Sequence, residues 1–135
     1  MARAAKKPAK TAAKKSAPKS AAPLLRQLAL TLPETAEAPH FEATSFRVRG
    51  KIFATAGEGR SPQEGVLKLA PEIQQAMMQA HPDAFRPASG AWGRSGWTHV
   101  RVHAIPRALL NDLVVSAWGL VAPKKLAAAF RAEQA

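Results

Sequence analysis

The sequence predicts an α+β protein of two layers, in which an antiparallel sheet carries its helices on one face. Three observations lead to this fold class. Several segments have an apolar residue at every second position, which is typical of strands, and the loops between the first of them are short. Because a parallel return requires a crossover of a dozen or more residues, such strands pair antiparallel. Segments of helical period flank them, and helices packed on one face of a sheet form a second layer.

The predicted elements of the first half begin with a helix over residues 24–32, where leucines recur at helical spacing between two prolines. Two strands follow within residues 44–56 and form a hairpin around Gly50 and Lys51. The turn-rich loop GEGRSPQEG (57–65) leads to a third strand, VLKLA. No strand is predicted between the first helix and the hairpin.

The second half is predicted to start with a helix at Pro71 that ends near His81. The segment RPASGAWGRSG (86–96) is predicted to be a glycine-rich loop with room for a short strand. The segment WTHVRVHAI (97–105) alternates as a strand, and two helices separated by Pro123 close the chain.

Charge divides the chain into a tail, residues 1–22, and a single domain, residues 23–135. The chain has 20 Lys and Arg against 9 Asp and Glu, a formal net charge of +11. Ala, Lys, Pro and Ser dominate the tail, so it buries too little apolar surface to fold and is predicted to be disordered. Its basic residues suit a polyanion, although a solubilising role is the alternative. The tail lysines predicted to bind nucleic acid are Lys6, Lys7, Lys10, Lys14, Lys15 and Lys19.

Strand alternation predicts a second basic surface, on the sheet face opposite to the helices. Cations there can neutralise phosphates, and Trp97 offers a flat surface for an unstacked base. The glycine-rich loops allow their backbone to approach a phosphate closely. The alternatives are that the sheet face is an ordinary solvated surface, that the loops are mobile connections, and that Trp92 packs as a core residue beneath its loop. The candidate nucleic-acid-binding residues of the domain are Arg47, Arg49, Lys51, Arg60, Lys68, Trp92, Arg94 and Arg101.

The motifs of common catalytic sites do not occur in the sequence. The chain has no cysteine, which excludes disulfides, thiolate chemistry and cysteine-bound zinc. His99 and His103 lie four apart on a predicted strand, too far from one another to share a metal ion. Neither a nucleophile elbow nor a phosphate-binding loop is present. We therefore expect no catalytic residues, no cofactor and no metal, in a cytoplasmic protein that could associate with the nucleoid.

Several segments resemble the MmcQ/YjbR family of small bacterial proteins. They are FRVRGKIFA (46–54), VLKLAPE (66–72), HPDAFRP (81–87), GWTHVRV (96–102) and SAWGLVAPKKLAAAF (116–130). The resemblance spans residues 28–130 and implies a two-layer domain with two projecting, wing-like elements and DNA binding. The basic extension at the N-terminus departs from the family pattern, as does the segment Ser116-Ala117-Trp118, where relatives often carry a Ser-Tyr pair.

These observations predict a non-catalytic protein that binds nucleic acid, DNA rather than RNA and duplex DNA in particular, with low sequence specificity. The first alternative is a protein–protein interaction module with a solubilising tail. The second is an enzyme or small-molecule binder whose pocket is lined by Trp97, His99 and Arg101. That alternative requires a pocket that joins His99 to a buried carboxylate, such as Glu42, and the sequence itself offers no such link.

Overall fold

The computed structural model describes residues 20–57 and 62–134. Six strands and five α-helices make up this part of the chain. A short 3-10 helix, Val102–Ala104, follows the last strand. The elements in chain order are α1 (Ala21–Ala29), β1 (Thr35–His40), β2 (Ala43–Val48), β3 (Lys51–Ala56), β4 (Glu64–Lys68), α2 (Pro71–Ala80), β5 (Phe85–Pro87), α3 (Gly90–Arg94), β6 (Trp97–Arg101), α4 (Arg107–Val121) and α5 (Lys124–Gln134).

All six strands join one open sheet in the order β1-β2-β3-β4-β6-β5, and every neighbouring pair is antiparallel. The predicted α+β class with an antiparallel sheet is thereby confirmed. Helices α1 and α4 pack against the central strands β3 and β4 and against one another. They cover one face of the sheet and leave the other face to the strands themselves.

The core lies between this helical layer and the sheet. Phe46, Phe53 and Leu67 from the strands and Leu25 from α1 are fully buried there. Gly65 on β4 permits the close contact with α1, because a Cβ atom at this position would lie 2.5 Å from the side chain of Leu25 and would displace it. Burying such side chains supplies most of the stability of a domain of this size.

Trp118 connects the end of the core to the last helix. Its indole is buried, packs against the ring of Phe130 with centroids 5.1 Å apart, and donates its N–H to the backbone oxygen of Pro33 at 3.1 Å. This contact holds α5 against α4 and the turn after α1.

Strand β1 does not appear among the sequence predictions. Its residues TAEAPH lack the β-branched and aromatic side chains that favour strands, and Pro39 interrupts them. A proline is tolerated because β1 is an edge strand with one partner. The strand is held by tertiary contacts instead: Ser45 on β2 donates its hydroxyl to the backbone oxygen of Ala38 at 2.8 Å.

Three predicted boundaries are wrong. Helix α1 begins at Ala21, inside the segment predicted as a tail, and Ala21 is fully buried with its N–H bonded to Pro62. The segment 86–96, predicted to be a loop with room for a short strand, contains the end of strand β5 and, in addition, helix α3. The last strand ends at Arg101, since the chain turns into the 3-10 helix at Val102.

Some sequence predictions concern residues outside the described ranges. They are Lys6, Lys7, Lys10, Lys14, Lys15, Lys19 and Arg60. No helix within residues 20–57 and 62–134 is long and apolar enough to cross a membrane.

Candidate nucleic-acid interface

The sheet face opposite to α1 and α4, here called the open face, carries a continuous row of side chains across four strands. Thr55 on β3 is paired with Val66 on β4, Val66 with His99 on β6, and His99 with Arg86 on β5. Cross-strand partners point to the same side of a sheet, so these residues share one surface. Lys68 and Trp97 form the next pair along the same strands.

A β-bulge shapes this face. The register between β2 and β3 shifts after Phe46, which pairs with Ala54, while Arg47 pairs with Ile52. Phe53 is therefore an extra residue and turns into the core, where it is fully buried. Because of the bulge, Ile52 joins Thr55 on the open face, although strict alternation from Thr55 places it on the opposite side.

The open face contains a cleft of about 300 Å³. Ile52, Thr55 and Val66 form part of its lining on the central strands, and Trp92 and Trp97 line it beside the last strand. The cleft thus combines an apolar sheet surface with two indole rings. His40, Ser89 and His99 add polar groups to this lining. Concave surfaces that combine apolar and aromatic side chains with a few polar groups are the usual form of ligand sites in proteins.

Trp92 and Trp97 stand at an angle of 69° with ring centroids 6.4 Å apart. Trp92 is 67% exposed, an unusual state for so large an aromatic side chain in an ordered helix. The ammonium group of Lys68 lies over the ring of Trp97, 5.9 Å from its centroid. A cation–π contact of this geometry places a positive charge directly beside a stacking surface.

The short helix α3, which carries Trp92, is anchored from the opposite side of the sheet. Gln74 on α2 is buried and donates its amide to the backbone oxygen of Gly93 at 3.1 Å and to the hydroxyl of Thr98 at 2.9 Å. Gly93 itself has no room for a Cβ atom, which would clash with the backbone of Ala88. The position of Trp92 therefore depends on a close helix contact and a buried amide.

The charged groups of the open face are partly paired. Arg86 donates to Glu64 at 2.7 Å, and the same carboxylate oxygen lies 3.5 Å from Nδ1 of His99. Glu64 is therefore the carboxylate beside His99, the kind of partner that the small-molecule alternative requires, whereas Glu42 is exposed in the turn between β1 and β2. Arg101, opposite Glu64 in the register, is exposed and forms no ion pair within the described part of the chain.

Arg47 is oriented by its neighbours. Its Nε donates to the hydroxyl of Ser45 at 2.8 Å and its Nη2 to the backbone oxygen of Pro39 at 3.2 Å. Both acceptors are uncharged, so the positive charge of Arg47 is not compensated by them. The guanidinium is held over β1 at the side of the open face far from the tryptophans.

The prediction that Arg49 lies on the open face is wrong. Arg49 adopts a left-handed conformation with φ 49° in the turn after β2 and forms a two-point ion pair with Glu34. The Arg49 guanidinium holds the pKa of the Glu34 carboxyl below its usual value, chiefly through the hydrogen bond. Lys51 shares a recess with Arg49 and Lys124 beside the α4–α5 connection, away from the cleft.

The structure thus brings together Arg47, Lys68 and Arg101 on one face and places Trp92 at its cleft. Arg94 is exposed on α3 but does not line the cleft. Sequence reasoning missed Thr55 and Ile52, because no local signal marks the bulge that directs both to the same side. Within the described ranges, no group of three or more His, Asp or Glu side chains could hold a metal ion.

Comparison with known proteins bears on this architecture. A model of the YjbR family matches residues 30–120, which include the whole sheet and most of α4. The chain belongs to the YjbR family. The search among curated proteins gave no match.

A solved structure supports the fold of this YjbR chain. The Deinococcus radiodurans protein DR2400, described as a DUF419 domain, is similar to it with a TM-score of 0.66 and 26% sequence identity. The alignment covers 78% of this chain and 80% of DR2400. The resemblance to the MmcQ/YjbR family seen in the sequence is thereby confirmed.

Proposed function

We propose that this YjbR protein is a non-catalytic nucleic-acid-binding protein, acting on DNA with low sequence specificity. The observation that carries the proposal is the composition of the open face, where three cations, Arg47, Lys68 and Arg101, share one surface with a cleft lined by two tryptophans. Cations spaced over a sheet neutralise phosphates without reading base sequence, which gives affinity without specificity.

Ion pairing leaves cations of the open face uncompensated, as it also leaves Lys124, Lys125 and Arg131 of α5 among the described residues. Arg26 and Arg49, which lie outside the open face, are each compensated by a glutamate at 2.8 and 2.7 Å. On the open face Arg86 is compensated by Glu64, while Lys68 and Arg101 form no ion pair among the described residues. An uncompensated cation on a surface attracts a polyanion more strongly than a paired one.

The basic segment at the N-terminus adds to the same proposal. Six lysines there can release counterions from a nucleic acid in addition to those released by the folded part. The described part of the chain begins directly after these lysines, at Ser20. The backbone oxygen of Ser20 lies 3.2 Å from Nε2 of His103, on the side of the domain that carries α1. We propose that the protein acts in the cytoplasm. Its chain has no cysteine, so it needs no oxidising compartment for disulfide formation.

The test is the salt dependence of binding by three forms of the full chain. In the first variant the six tail lysines are replaced by alanine. In the second, the open-face triple variant, Arg47, Lys68 and Arg101 are replaced by glutamine. The matched control replaces Lys124, Lys125 and Arg131 of α5 by glutamine and removes the same charge from another surface.

We expect the open-face triple variant to bind a duplex or single-stranded oligonucleotide more weakly and to lower the slope of log affinity against log salt by about 2 to 3. The α5 control should change the slope by less than half of that amount. Equal effects of the two triple variants contradict a specific interface on the open face. An intact chain that binds no polynucleotide at low salt contradicts the proposed function and favours a protein-interaction module.

A further inference from the structure

The cleft on the open face has the chemistry of a site for one flat, unstacked base. We propose that it binds a nucleobase of a single strand, so that the protein prefers unpaired nucleic acid to a duplex of the same length. This inference rests on the proposed function and specifies its substrate. It differs from the duplex preference expected from the sequence.

The two indole rings supply the first argument. At 69° to one another, they form two walls of a corner, so that a base stacked flat on one ring presents its edge to the other. Trp92 offers most of its surface to solvent, and α3 holds it there through the buried Gln74 amide. Stacking on an ordered aromatic ring is favourable for every base, because each base has a π-face.

Thr55 supplies the second, independent argument. Its side chain lines the cleft, the residue is only 6% exposed, and its hydroxyl forms no hydrogen bond within the described part of the chain. Leaving a buried hydroxyl without a partner is unfavourable, so such a group in a native protein is usually bonded to water or to a bound molecule. A base edge carries the donors and acceptors that this hydroxyl needs.

Charge supplies the third argument and favours single-stranded nucleic acid over a duplex as the ligand. Lys68 lies over Trp97, and Arg101 extends the positive surface along the same side of β6. A base seated against Trp97 therefore has a cation next to it for its own phosphate. In a duplex the bases are stacked on one another and must be turned out before they reach a recess, which costs energy that a single strand does not spend.

The experiment compares three probes with the full chain at one salt concentration: a dT12 single strand, a 12-base-pair duplex and dTMP. The variants are Trp92→Ala and Thr55→Val, and Leu30→Ala is the matched control. Leu30 is a large, exposed apolar residue that follows α1 and lies away from the cleft. Circular dichroism verifies that each variant is folded.

We expect dT12 to bind more tightly than the duplex, and Trp92→Ala to weaken dT12 binding by about 10-fold or more while changing duplex binding less than 2-fold, the scale expected for one stacked base. Thr55→Val should weaken dT12 binding several-fold and yet leave the melting temperature unchanged or higher, a combination that a merely structural hydroxyl does not give. Leu30→Ala should leave both affinities unchanged.

The contrary outcomes separate the inference from the function on which it rests. Equal affinity for dT12 and duplex, unaffected by Trp92→Ala, overturns the base site and leaves nucleic-acid binding intact. If dTMP binds as tightly as dT12, the cleft is a site for a free nucleotide. That result overturns the proposal that its ligand is a single-stranded nucleic acid. Absence of binding to every probe overturns both proposals.

Discussion

The side-chain amide of Gln74 donates to the backbone oxygen of Gly93 at 3.1 Å. This bond links α2 to the short helix α3, which carries Trp92. The same amide reaches the hydroxyl of Thr98, the residue next to Trp97. One buried side chain therefore supports both elements from which the tryptophans of the cleft project. Hydrogen bonds from a buried amide nitrogen fix local geometry, because losing them removes partners from groups that water does not reach.

We predict that Gln74→Met destabilises the protein by about 1–3 kcal/mol. The substitution retains volume but removes the donor, so the oxygen of Gly93 loses a partner in a buried environment. Urea denaturation measures the change. Gln75→Met is the control, since Gln75 lies beside it on α2 and is exposed. A loss of stability equal to that of the control contradicts the anchoring role.

Gly93→Ala tests the close contact of α3 directly. The added Cβ atom would clash with the backbone oxygen of Ala88, which cannot move aside as a flexible side chain can. We predict destabilisation of about 1–3 kcal/mol and weaker single-strand binding, because α3 must shift and carries Trp92 with it.

Gly119→Ala in α4 is the matched control for that substitution. A Cβ atom at Gly119 meets nothing within 4 Å, and the residue lies in a helix interior. This variant should be more stable than the wild type by about 0.5–1 kcal/mol. Thermal unfolding of the two variants should therefore shift in opposite directions, and a shift of the same sign in both contradicts the steric argument.

Elements that show a local pattern in the sequence could be predicted, whereas elements that form only through contacts with their neighbours could not. Apolar alternation in β2, β3, β4 and β6 is local, and so the antiparallel α+β class could be predicted. The alanines of β1 carry no such signal, and the strand forms only because β2 provides a partner.

The candidate site was predicted less completely than the fold. Arg47, Lys68 and Arg101 followed from alternation, which a strand imposes wherever it is regular. The position of Ile52 depends on the bulge at Phe53, and that of Trp92 on the contact between Gly93 and Ala88. Both features lie within short stretches of the chain, but neither produces a periodic pattern in the sequence, so they become visible only in the folded structure.

The ion pair between Arg26 and Glu37 predicts a dependence of stability on pH. Hydrogen bonds from Arg26 and then Thr44 hold the pKa of Glu37 below its ordinary value of 4.5. A lowered pKa in the folded state stabilises the protein above the unfolded value, and this contribution is lost as the pH falls through the folded value. The window therefore lies below pH 4.5.

We predict that Glu37→Gln is less stable than the wild type by about 0.2–1 kcal/mol at pH 7, the range for an exposed pair. The difference should disappear when denaturation is repeated at pH values well below 4.5. Glu133→Gln, which removes an exposed carboxylate from α5, should show no comparable difference at either pH. A difference for Glu37→Gln that persists in acid contradicts the electrostatic origin.

Glu64 is an acidic side chain on a face that we propose to contact phosphates. Removing its negative charge therefore tests whether electrostatic attraction at this face strengthens nucleic-acid binding. Its carboxylate is 13% exposed and lies between Arg86 at 2.7 Å and His99 at 3.5 Å. Glu64→Gln deletes a negative charge from the open face and releases Arg86 from its partner. Like charges repel, so the wild-type carboxylate weakens the attraction of the surface for a polyanion.

We therefore predict that Glu64→Gln binds both single-stranded and duplex oligonucleotides more tightly by about 2- to 5-fold at low salt, and that the gain shrinks as salt screens the charges. Fluorescence anisotropy at two salt concentrations measures it. Glu72→Gln is the matched control, because Glu72 is an exposed glutamate in the first turn of α2 and the substitution changes the net charge equally. An equal gain in the control indicates attraction by net charge alone, whereas weaker binding by Glu64→Gln means that the carboxylate holds Arg86 and His99 in the arrangement that the ligand needs.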